Sequence, residues 1–293
     1  MRNLRRIKEG LLKQFFFLNG ILAILVLAGI FLLLLSQGIL AFKEISLFEF
    51  LTSARWSPDS VVRPTYGILS MVVSTLMVTA IALILAVPLG IGCASYISQL
   101  ASPRVKEIAK PVIEMLAAVP SVVIGFMGIV LVAPFLTKIF GISSGLNALN
   151  GAILLGIMSL PTIISISEDA ITSVPSEYKE ASLALGASRW DTLVKVTIPS
   201  ASSGIIASIM LGMGRAIGET MTVLMVTGNA PAMPHSLFDS VRTMTATIAI
   251  ELGEVPFNTT HYYALFAIGL TLFVITFLVN LLSDIILSKG QRS

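Results

Sequence analysis

The sequence predicts an all-α integral membrane protein with six transmembrane helices, on the basis of its composition, its uncharged runs and its charge distribution. Of its 293 residues, 55% are hydrophobic and only 12% are charged, whereas soluble domains have about 25% charged residues. Five uncharged runs can each hold the ~20 residues that cross a bilayer. They lie between Lys13 and Lys43, Arg63 and Arg104, Glu114 and Lys138, Lys138 and Glu168, and Glu254 and Asp284. A sixth apolar stretch, 202–227, contains two charges.

The distribution of Lys and Arg predicts the orientation. With a cytoplasmic amino terminus, 13 of these residues lie on the cytoplasmic side and 5 lie outside. Cytoplasmic loops carry an excess of Lys and Arg, so we expect both termini in the cytoplasm. This arrangement requires an even number of spans, which six satisfies.

The apolar run that follows the basic start is too long for a signal peptide and lacks a small-residue cleavage site, so we expect a retained first helix. The expected segments are a cytoplasmic start at 1–14, a first helix at 15–36, an extracellular segment at 37–65 that can carry a short surface helix, a five-helix core at 66–287 and a cytoplasmic tail at 288–293. Within the core we expect helices at 66–92, 111–136, 147–167, 202–227 and 262–287, a cytoplasmic loop at 168–201 and an extracellular loop at 228–261.

Several predicted spans contain helix-breaking residues, including Pro88, Pro120 and Pro161. Broken helices are tolerated where they pack inside protein or line a cavity, which favours a transporter over a simple anchor. Kinked helices also occur in other polytopic proteins, so this feature does not decide the function.

The predicted helix 202–227 has small residues at regular spacing. Gly204, Ser208, Gly212, Ala216 and Thr220 recur every four residues. Small residues at this spacing allow another helix to approach closely. Gly214 and Gly218 add a second pair of this kind, so we expect the helix to pack on more than one side.

The same helix carries the two intramembrane charges, Arg215 and Glu219. Residues four apart share a helix face, so the two side chains are expected to pair. Charges at this depth are costly and normally face a bundle interior or a wet cavity. We interpret them as groups on a translocation path, with Thr220 and Ser121 as neutral groups on the same path. An ion pair that only orders the bundle is the alternative.

The polar loop 168–201 is predicted to form two short helices joined at Gly186. Pro175 opens the first helix, and glycine suits the left-handed residue that follows a helix. Ser188 and Asp191 have the form of a capping box for the second helix. The residues alone leave two interpretations open, a docking hairpin or a helix on the membrane surface.

A motif in this loop resembles the EAA loop of ABC importer permeases, usually written E-A-A-x3-G-x9-I-x-L-P. The matching residues are Glu180-Ala181-Ser182, Gly186 and Val196-Thr197-Ile198-Pro199. The resemblance implies a type I ABC importer permease fold, in which this loop is a cytoplasmic coupling helix that docks on an ATPase subunit. Ser188 and Arg189 are then coupling residues together with the motif itself.

Two further stretches are similar to phosphate permeases, and the second of them to the PstC-type subunit in particular. Residues 113–125 (IEMLAAVPSVVIG) resemble the family pattern P-x-I-E-x-L-A-G-I-P-S-x-x-Y-G, with Ala118 and Ile124 as departures. Residues 214–221 (GRAIGETM), followed by Gly228-Asn229, resemble the fifth helix of the same family. The resemblance implies a bacterial inner-membrane permease for phosphate. It also implies a PstA-type second permease, a PstB-type ATPase dimer that binds ATP and Mg, and a PstS-type binding protein.

Several functions are disfavoured by the sequence. No Gly-Lys dipeptide is present, so the chain lacks a Walker A loop and has to obtain energy from a partner. We expect no enzyme activity, cofactor, metal site or nucleic-acid partner, and lipid is the expected surroundings. A permease for another oxyanion and an ion-coupled secondary transporter remain the alternatives, although no inverted repeat is visible.

Overall fold

A computed structural model describes the backbone of residues 2–290 and the side-chain surroundings of residues 12–282 and Ile285. Met1 and residues 291–293 lie outside the described backbone. They belong to the predicted cytoplasmic segments 1–14 and 288–293. Within the described part, the α-helices are α1 (Arg2–Ala41), α2 (Leu47–Thr52), α3 (Leu69–Ser95), α4 (Pro103–Ala117), α5 (Ser121–Met127), α6 (Ala133–Phe140), α7 (Ala148–Thr172), α8 (Ser176–Ala184), α9 (Arg189–Thr192), α10 (Ile198–Ser200), α11 (Ser202–Gly218), α12 (Met221–Val226), α13 (Met244–Glu251) and α14 (Thr260–Gly290).

Short π-helical segments connect some of these helices. They lie at Tyr96–Leu100, Gly128–Val132 and Leu193–Thr197. The segment 37–65 contains the expected short helix, α2, and the first of two short antiparallel strands, β1 (Trp56–Ser57); the second, β2 (Thr65–Tyr66), extends one residue beyond the segment. The fold is therefore mostly helical, with one small two-stranded ribbon.

Five stretches of the described residues are long and apolar enough to cross a membrane, and a sixth is counted if one bent pair forms a single span. The five stretches are Leu12–Ala41, Leu69–Leu100, Ser121–Phe140, Ala148–Thr172 and Thr260–Leu282. The bent pair joins Arg189–Ser200 to Ser202–Gly218 at an angle of 69°. The predicted fold class, a helical membrane protein, is confirmed with five to six candidate spans.

The third predicted helix, 111–136, is wrong in its first part. The chain ends α4 at Ala117 and starts α5 at Ser121. Proline lacks the N–H that would continue the helix, and the residue before a proline disfavours helical geometry. Pro120 therefore separates an amphipathic helix, α4, from the apolar span.

The fifth predicted helix, 202–227, is also broken. Glu219 has an extended backbone after α11, and α12 starts at Met221. The hydroxyl of Thr245 on α13 donates to the backbone oxygen of Glu219 over 2.8 Å. Gly218, a poor helix former, precedes the break. Contacts from outside the helix therefore hold Glu219 in its extended form.

The centre of the bundle is formed by α3, α7 and α11. A Cβ added to Gly156 on α7 would lie 3.2 Å from the backbone oxygen of Ala82 on α3. Small residues also line the contact of α11 with α7, where the hydroxyls of Ser167 and Ser208 lie 2.7 Å apart. Close backbone approach of this kind is typical of helix packing in membranes.

The first and last long helices pack together at one side of this centre. A Cβ on Gly38 would lie 3.3 Å from the backbone of Ala267, and the rings of Phe31 and Phe273 are 5.1 Å apart. Most of the described part of α1 before these contacts is exposed within this chain.

A charged cluster around Glu251 joins three distant segments of the chain. The carboxylate accepts from the indole N–H of Trp56 at 3.0 Å and 3.1 Å. It also pairs with Arg242 and with His261, each at 2.8 Å. The Glu251 and Arg242 side chains are only 14% and 17% exposed. The cluster therefore fixes the segment 37–65 and the loop 228–261 against the start of α14.

Candidate functional site

The break between α4 and α5 lies next to the break between α11 and α12. Arg215 in the last turn of α11 donates from Nη2 to the backbone oxygen of Ala117, at the end of α4, over 3.4 Å. Thr222 in the first turn of α12 donates from its hydroxyl to the backbone oxygen of Ser121 over 3.1 Å. The predicted pathway residues from two distant parts of the sequence therefore lie together.

Arg215 lies where a helix end favours a positive charge. The last carbonyls of a helix have no partner within the helix and carry partial negative charge. Arg215 contacts such a carbonyl, that of Ala117, and is half-buried. Only this one hydrogen bond is found for Arg215 among the described residues, although a guanidinium has five N–H donors. Most of its donors are therefore free to meet another group.

The expected ion pair between Arg215 and Glu219 is not formed within the described residues, where no contact between them lies within 4.0 Å. The helix ends at Gly218, so the two residues no longer share one helix face. Instead, Glu219 Oε1 accepts from the backbone N–H of Thr222 over 3.2 Å. Its carboxylate therefore caps the first turn of α12, as side-chain oxygens commonly do at helix starts.

The two neutral residues predicted for the pathway lie at the same breaks. Ser121 is the first residue of α5 and is half-buried, and its backbone oxygen is the acceptor for Thr222. Thr220 lies between α11 and α12, and its hydroxyl donates to the backbone oxygen of Gly218 over 3.3 Å. Sequence reasoning placed each residue inside a continuous helix, whereas Ser121 begins α5 after one break and Thr220 lies in the connection before α12.

Sequence reasoning missed Thr222 as a residue of this site. Its side chain is fully buried, and its hydroxyl bridges the two broken helices. The sequence did contain a signal for Thr222. It lies three residues after Glu219, which is the spacing between a capping side chain and the backbone N–H that it accepts from. That spacing has meaning only if the helix ends before Glu219.

The three glycines predicted for helix packing face different surroundings. A Cβ on Gly212 would lie 2.8 Å from the side chain of Ile163, so only glycine allows this approach of α11 to α7. Gly214 and Gly218 are exposed, and a Cβ on either would meet no described atom of this chain within 4 Å. The face with Gly214 and Gly218 is therefore open.

The loop after α7 forms the expected pair of short helices, α8 and α9. Gly186 has a φ of +85°. The N–H of Gly186 donates to the oxygen of Leu183 over 2.9 Å, and that of Ala187 donates to the oxygen of Ser182 over 3.2 Å. These two bonds define a Schellman motif, which ends a helix at a left-handed residue. We call residues 176–198 the coupling hairpin.

Two side-chain contacts fix the second half of the coupling hairpin. The hydroxyl of Ser188 accepts from the N–H of Asp191 over 3.0 Å and lies 2.5 Å from its carboxylate. The hydroxyls of Ser182 and Thr192 are 2.9 Å apart and join α8 to α9. The hydrogen bonds from Lys195 and then Ser188 lower the pKa of Asp191.

The surface of the coupling hairpin is largely exposed and partly apolar. Leu185 and Trp190 at the turn are 90% and 68% exposed. The predicted coupling residues Glu180, Ala181 and Arg189 are also exposed. Exposed apolar side chains next to polar ones are typical of a surface that binds another protein or a membrane.

The chain matches the family described as binding-protein-dependent transport system inner membrane component over residues 86–289. It therefore belongs to this family of ABC transporter permeases. It is 40% identical to the probable ABC transporter permease protein YqgH of Bacillus subtilis, covering 84% of this chain and 80% of that protein.

Two further relatives are phosphate transport system permease proteins PstC. The protein from Mesorhizobium japonicum is 37% identical, with 89% of this chain and 84% of the relative covered. The protein from Haemophilus influenzae is 33% identical, with 97% and 95% covered. Among solved structures, a chain of the MetNI methionine ABC transporter in an inward-facing conformation has a TM-score of 0.57 at 18% identity, covering 75% of this chain and 94% of that chain.

Family membership establishes the general role of the chain. It is a multi-pass permease of the inner membrane and is not an enzyme, and such permeases carry no cofactor. A binding-protein-dependent ABC transporter requires an ATPase and a binding protein as partners. The structural likeness to the MetNI chain shows that the fold is that of an ABC importer permease.

Proposed function

We propose that the chain is the permease subunit through which a bacterial ABC importer moves inorganic phosphate into the cytoplasm. Arg215 at the meeting point of the two helix breaks carries this proposal. Its charge has no acidic partner among the described residues, and it lies in α11, one half of the bent pair that can form the sixth span. The PstC relatives, at 33–37% identity over most of the chain, support phosphate as the substrate.

Arg215 supplies the interaction that a phosphate anion needs inside a membrane. An anion there is costly unless a cation or water accompanies it. The guanidinium stays charged at all physiological pH values, and its planar fork matches phosphate oxygens in a bidentate manner. The long contact of 3.4 Å with Ala117 is readily exchanged for such an anion.

Glu219 limits how tightly the anion binds. Conduction requires attraction that is weak enough for release. The carboxylate stays at the start of α12 through Thr222. At this position the Glu219 carboxylate does not pair with Arg215. Its negative charge is nevertheless separated from Arg215 by only a short segment of the chain. The anion therefore meets an attractive arginine and a nearby repulsive group.

The partners proposed here follow the PstC relatives. The open face of α11 and α12, with Gly214, Gly218 and Met221, would contact a PstA-type permease, so that the pathway lies between the two chains. The coupling hairpin would dock on a PstB-type ATPase dimer that binds ATP and Mg. A PstS-type protein would deliver phosphate on the opposite side.

The orientation proposed from the charge distribution is that both termini and the coupling hairpin are cytoplasmic. Ser236 in loop 228–261 is exposed and would lie outside. In a background with Cys93→Ser, which removes the single cysteine, Ser236→Cys should react with a membrane-impermeant thiol reagent in intact cells. Reaction only after permeabilisation would reverse the orientation.

The decisive test is uptake of labelled phosphate by cells that lack their own transporter and express the complete complex. Arg215→Ala should lower uptake at least about tenfold, since a hydrogen bond to a charged group contributes about 1.5–3 kcal/mol. Arg215→Lys should retain part of the uptake, because the charge remains without the fork. Arg55→Ala removes an exposed arginine and serves as the control.

Two results would contradict the proposal. Normal uptake by Arg215→Ala in an assembled complex would reduce Arg215 to a structural contact with α4. Saturable uptake of labelled molybdate or phosphonate by the wild-type complex, with no uptake of labelled phosphate, would assign the other oxyanion instead.

A further inference from the structure

One face of helix α4 carries two lysines in its first half and ends at the Ala117 carbonyl that contacts Arg215. Lys106, Lys110, Ile113 and Ala117 follow one another at spacings of four, three and four residues. Residues at these spacings lie on one face of a helix. The distance from Lys110 to Ala117 along the axis is about 10 Å, at about 1.5 Å per residue.

Lys110 connects α4 to the end of α7. Its ammonium lies 2.9 Å from the carboxylate of Glu168 and 2.9 Å from that of Asp169. The hydrogen bonds that Lys110 donates to Glu168 and then to Asp169 raise the pKa of Lys110. Thr172 donates to the second oxygen of Glu168 over 3.0 Å and so orients that carboxylate. Glu168, Asp169 and Thr172 lie in the last turns of α7, directly before the coupling hairpin.

The beginning of α4 is held by the end of the second span. The ammonium of Lys106 donates to the backbone oxygen of Ser98, at the end of the second span, over 2.7 Å. Burial, and then the neighbouring charge of Lys106, lower the pKa of Lys179 on α8. The start of α4 therefore contacts the second span, and the charge of Lys106 acts on the hairpin through Lys179.

A cluster of apolar side chains packs α4, α7 and both ends of the coupling hairpin together. Ala109 and Ile113 of α4 pack against a buried core that contains Ile164 of α7 and Val174, which precedes the hairpin. Ile198, where the hairpin ends, packs against the same core. Both ends of the coupling hairpin are therefore packed in one core with α4.

The opposite end of α4 reaches the candidate pathway. The carbonyl of Ala117 accepts the hydrogen bond of Arg215, and Ser121 after the break accepts that of Thr222. A displacement of α4 would move the Ala117 carbonyl relative to Arg215 on α11. Coupling between distant sites runs through rigid elements and packed contacts of this kind.

We infer that Lys110 is a positioning residue that makes α4 follow the coupling hairpin, so that ATP-driven movement of the hairpin shifts the Ala117 carbonyl against Arg215. The last step of this inference rests on the proposed function of Arg215. The Lys110 side chain is 43% exposed, and ion pairs of this exposure add little stability. The role of Lys110 is therefore geometric, and the chain should fold without it.

The test uses the complete transporter in lipid vesicles, with ATP hydrolysis and uptake of labelled phosphate measured on the same preparation. Lys110→Met should keep basal ATP hydrolysis and assembly but lower the phosphate taken up per ATP about tenfold, within the range usual for coupling between distant sites. Lys110→Arg should restore coupling, because the charge and reach are kept. Lys138→Met, at an exposed position on α6, is the control.

Asp169→Asn gives a second, milder variant, since this carboxylate is 65% exposed and Glu168 still holds Lys110. It should lower the same ratio by a smaller factor than Lys110→Met. A normal ratio in Lys110→Met overturns the inference, as does equal loss in Lys110→Met and Lys110→Arg. If the wild-type complex takes up no phosphate, the proposed function fails instead. The inference is then judged by whether the loaded binding protein stimulates ATP hydrolysis in the wild type and not in Lys110→Met.

Discussion

The coupling hairpin and the Glu251 cluster are both polar regions, but they are held together differently. The hydrogen bonds that shape the hairpin connect residues at most ten apart, as between Ser182 and Thr192. In the cluster, Trp56 and Glu251 are 195 residues apart in the sequence. The hairpin is largely exposed, whereas the Glu251 and Arg242 side chains are mostly buried.

This difference indicates two separate tasks. A short unit with its own caps keeps its shape while a partner moves it, because the hydrogen bonds that shape it connect residues close together in the sequence. A buried ionic cluster between distant segments fixes those segments to one another. Substitutions in the cluster should therefore cost stability, and substitutions in the hairpin should cost coupling. The following predictions test this contrast, beginning with the largest effect.

The largest effect is expected for Glu251→Ala. The change leaves Arg242 without its carboxylate in a site that is 17% exposed. Removing one partner of a buried pair costs about 3–5 kcal/mol. Thermal unfolding of the purified complex in detergent should show a clear decrease in the midpoint. Glu254→Ala changes an exposed carboxylate nearby and is the control. Equal midpoints for the two variants would remove the contrast between the two regions.

The coupling hairpin is shaped by local hydrogen bonds and the Glu251 cluster by distant ones. This difference explains which of the two regions the sequence could predict. The hairpin was predictable, because Gly186, Ser188 and Asp191 act on backbone groups within a few residues. The Glu251 cluster was not, because no local pattern links Trp56 to a glutamate on α13. Helix α13 itself lies in a segment that was expected to be an extracellular loop.

The pathway site was predicted in its residues but not in its geometry. Arg215 and Glu219 were expected to pair because one continuous helix was assumed. The break depends on Thr245, whose hydroxyl holds the backbone of Glu219 from 26 residues away. Gly218 was the only local signal for it. Pro120 was the corresponding signal in the third span, where it was taken for a kink within one helix.

The next effect is expected for Gly186→Val in the coupling hairpin. The left-handed backbone at Gly186, with φ of +85°, costs about 1–2 kcal/mol for a residue with a side chain. A Cβ there meets no described atom within 4 Å, so the cost is in the backbone alone. The complex should assemble, but ATP hydrolysis should be uncoupled from uptake.

Gly186→Asn is the matched variant for this position, because asparagine tolerates the left-handed conformation. It should couple nearly normally. The contrast between the two regions would fail if Gly186→Val lowered the unfolding midpoint as much as Glu251→Ala and left coupling unchanged.

A smaller effect is expected for Ser188→Ala, which removes the cap of α9. Loss of a serine cap costs about 1 kcal/mol of local helix stability. Hydrogen exchange at residues 189–192 should become faster, and the global unfolding midpoint should stay the same. Ser176→Ala is the control, because Ser176 starts α8 without a side-chain cap bond. Faster exchange throughout the chain would show that the hairpin is not an independent unit.

The smallest effect concerns the exposed ion pair of Asp191 and Lys195. The Nζ of Lys195 lies 2.7 Å from Oδ1 of Asp191. Their hydrogen bond lowers the pKa of Asp191. Because the folded-state pKa is below the unfolded one, the pair stabilises the hairpin above the unfolded value of about 4 and loses this effect as the pH falls through the folded value. At pH 7, Lys195→Met should therefore exchange slightly faster than the wild type at residues 189–192, since exposed ion pairs add little stability. Measured at equal pH for both proteins, the difference should vanish once Asp191 is protonated. A difference that persists in acid would mean that Lys195 acts through packing of its apolar stem and not through its charge.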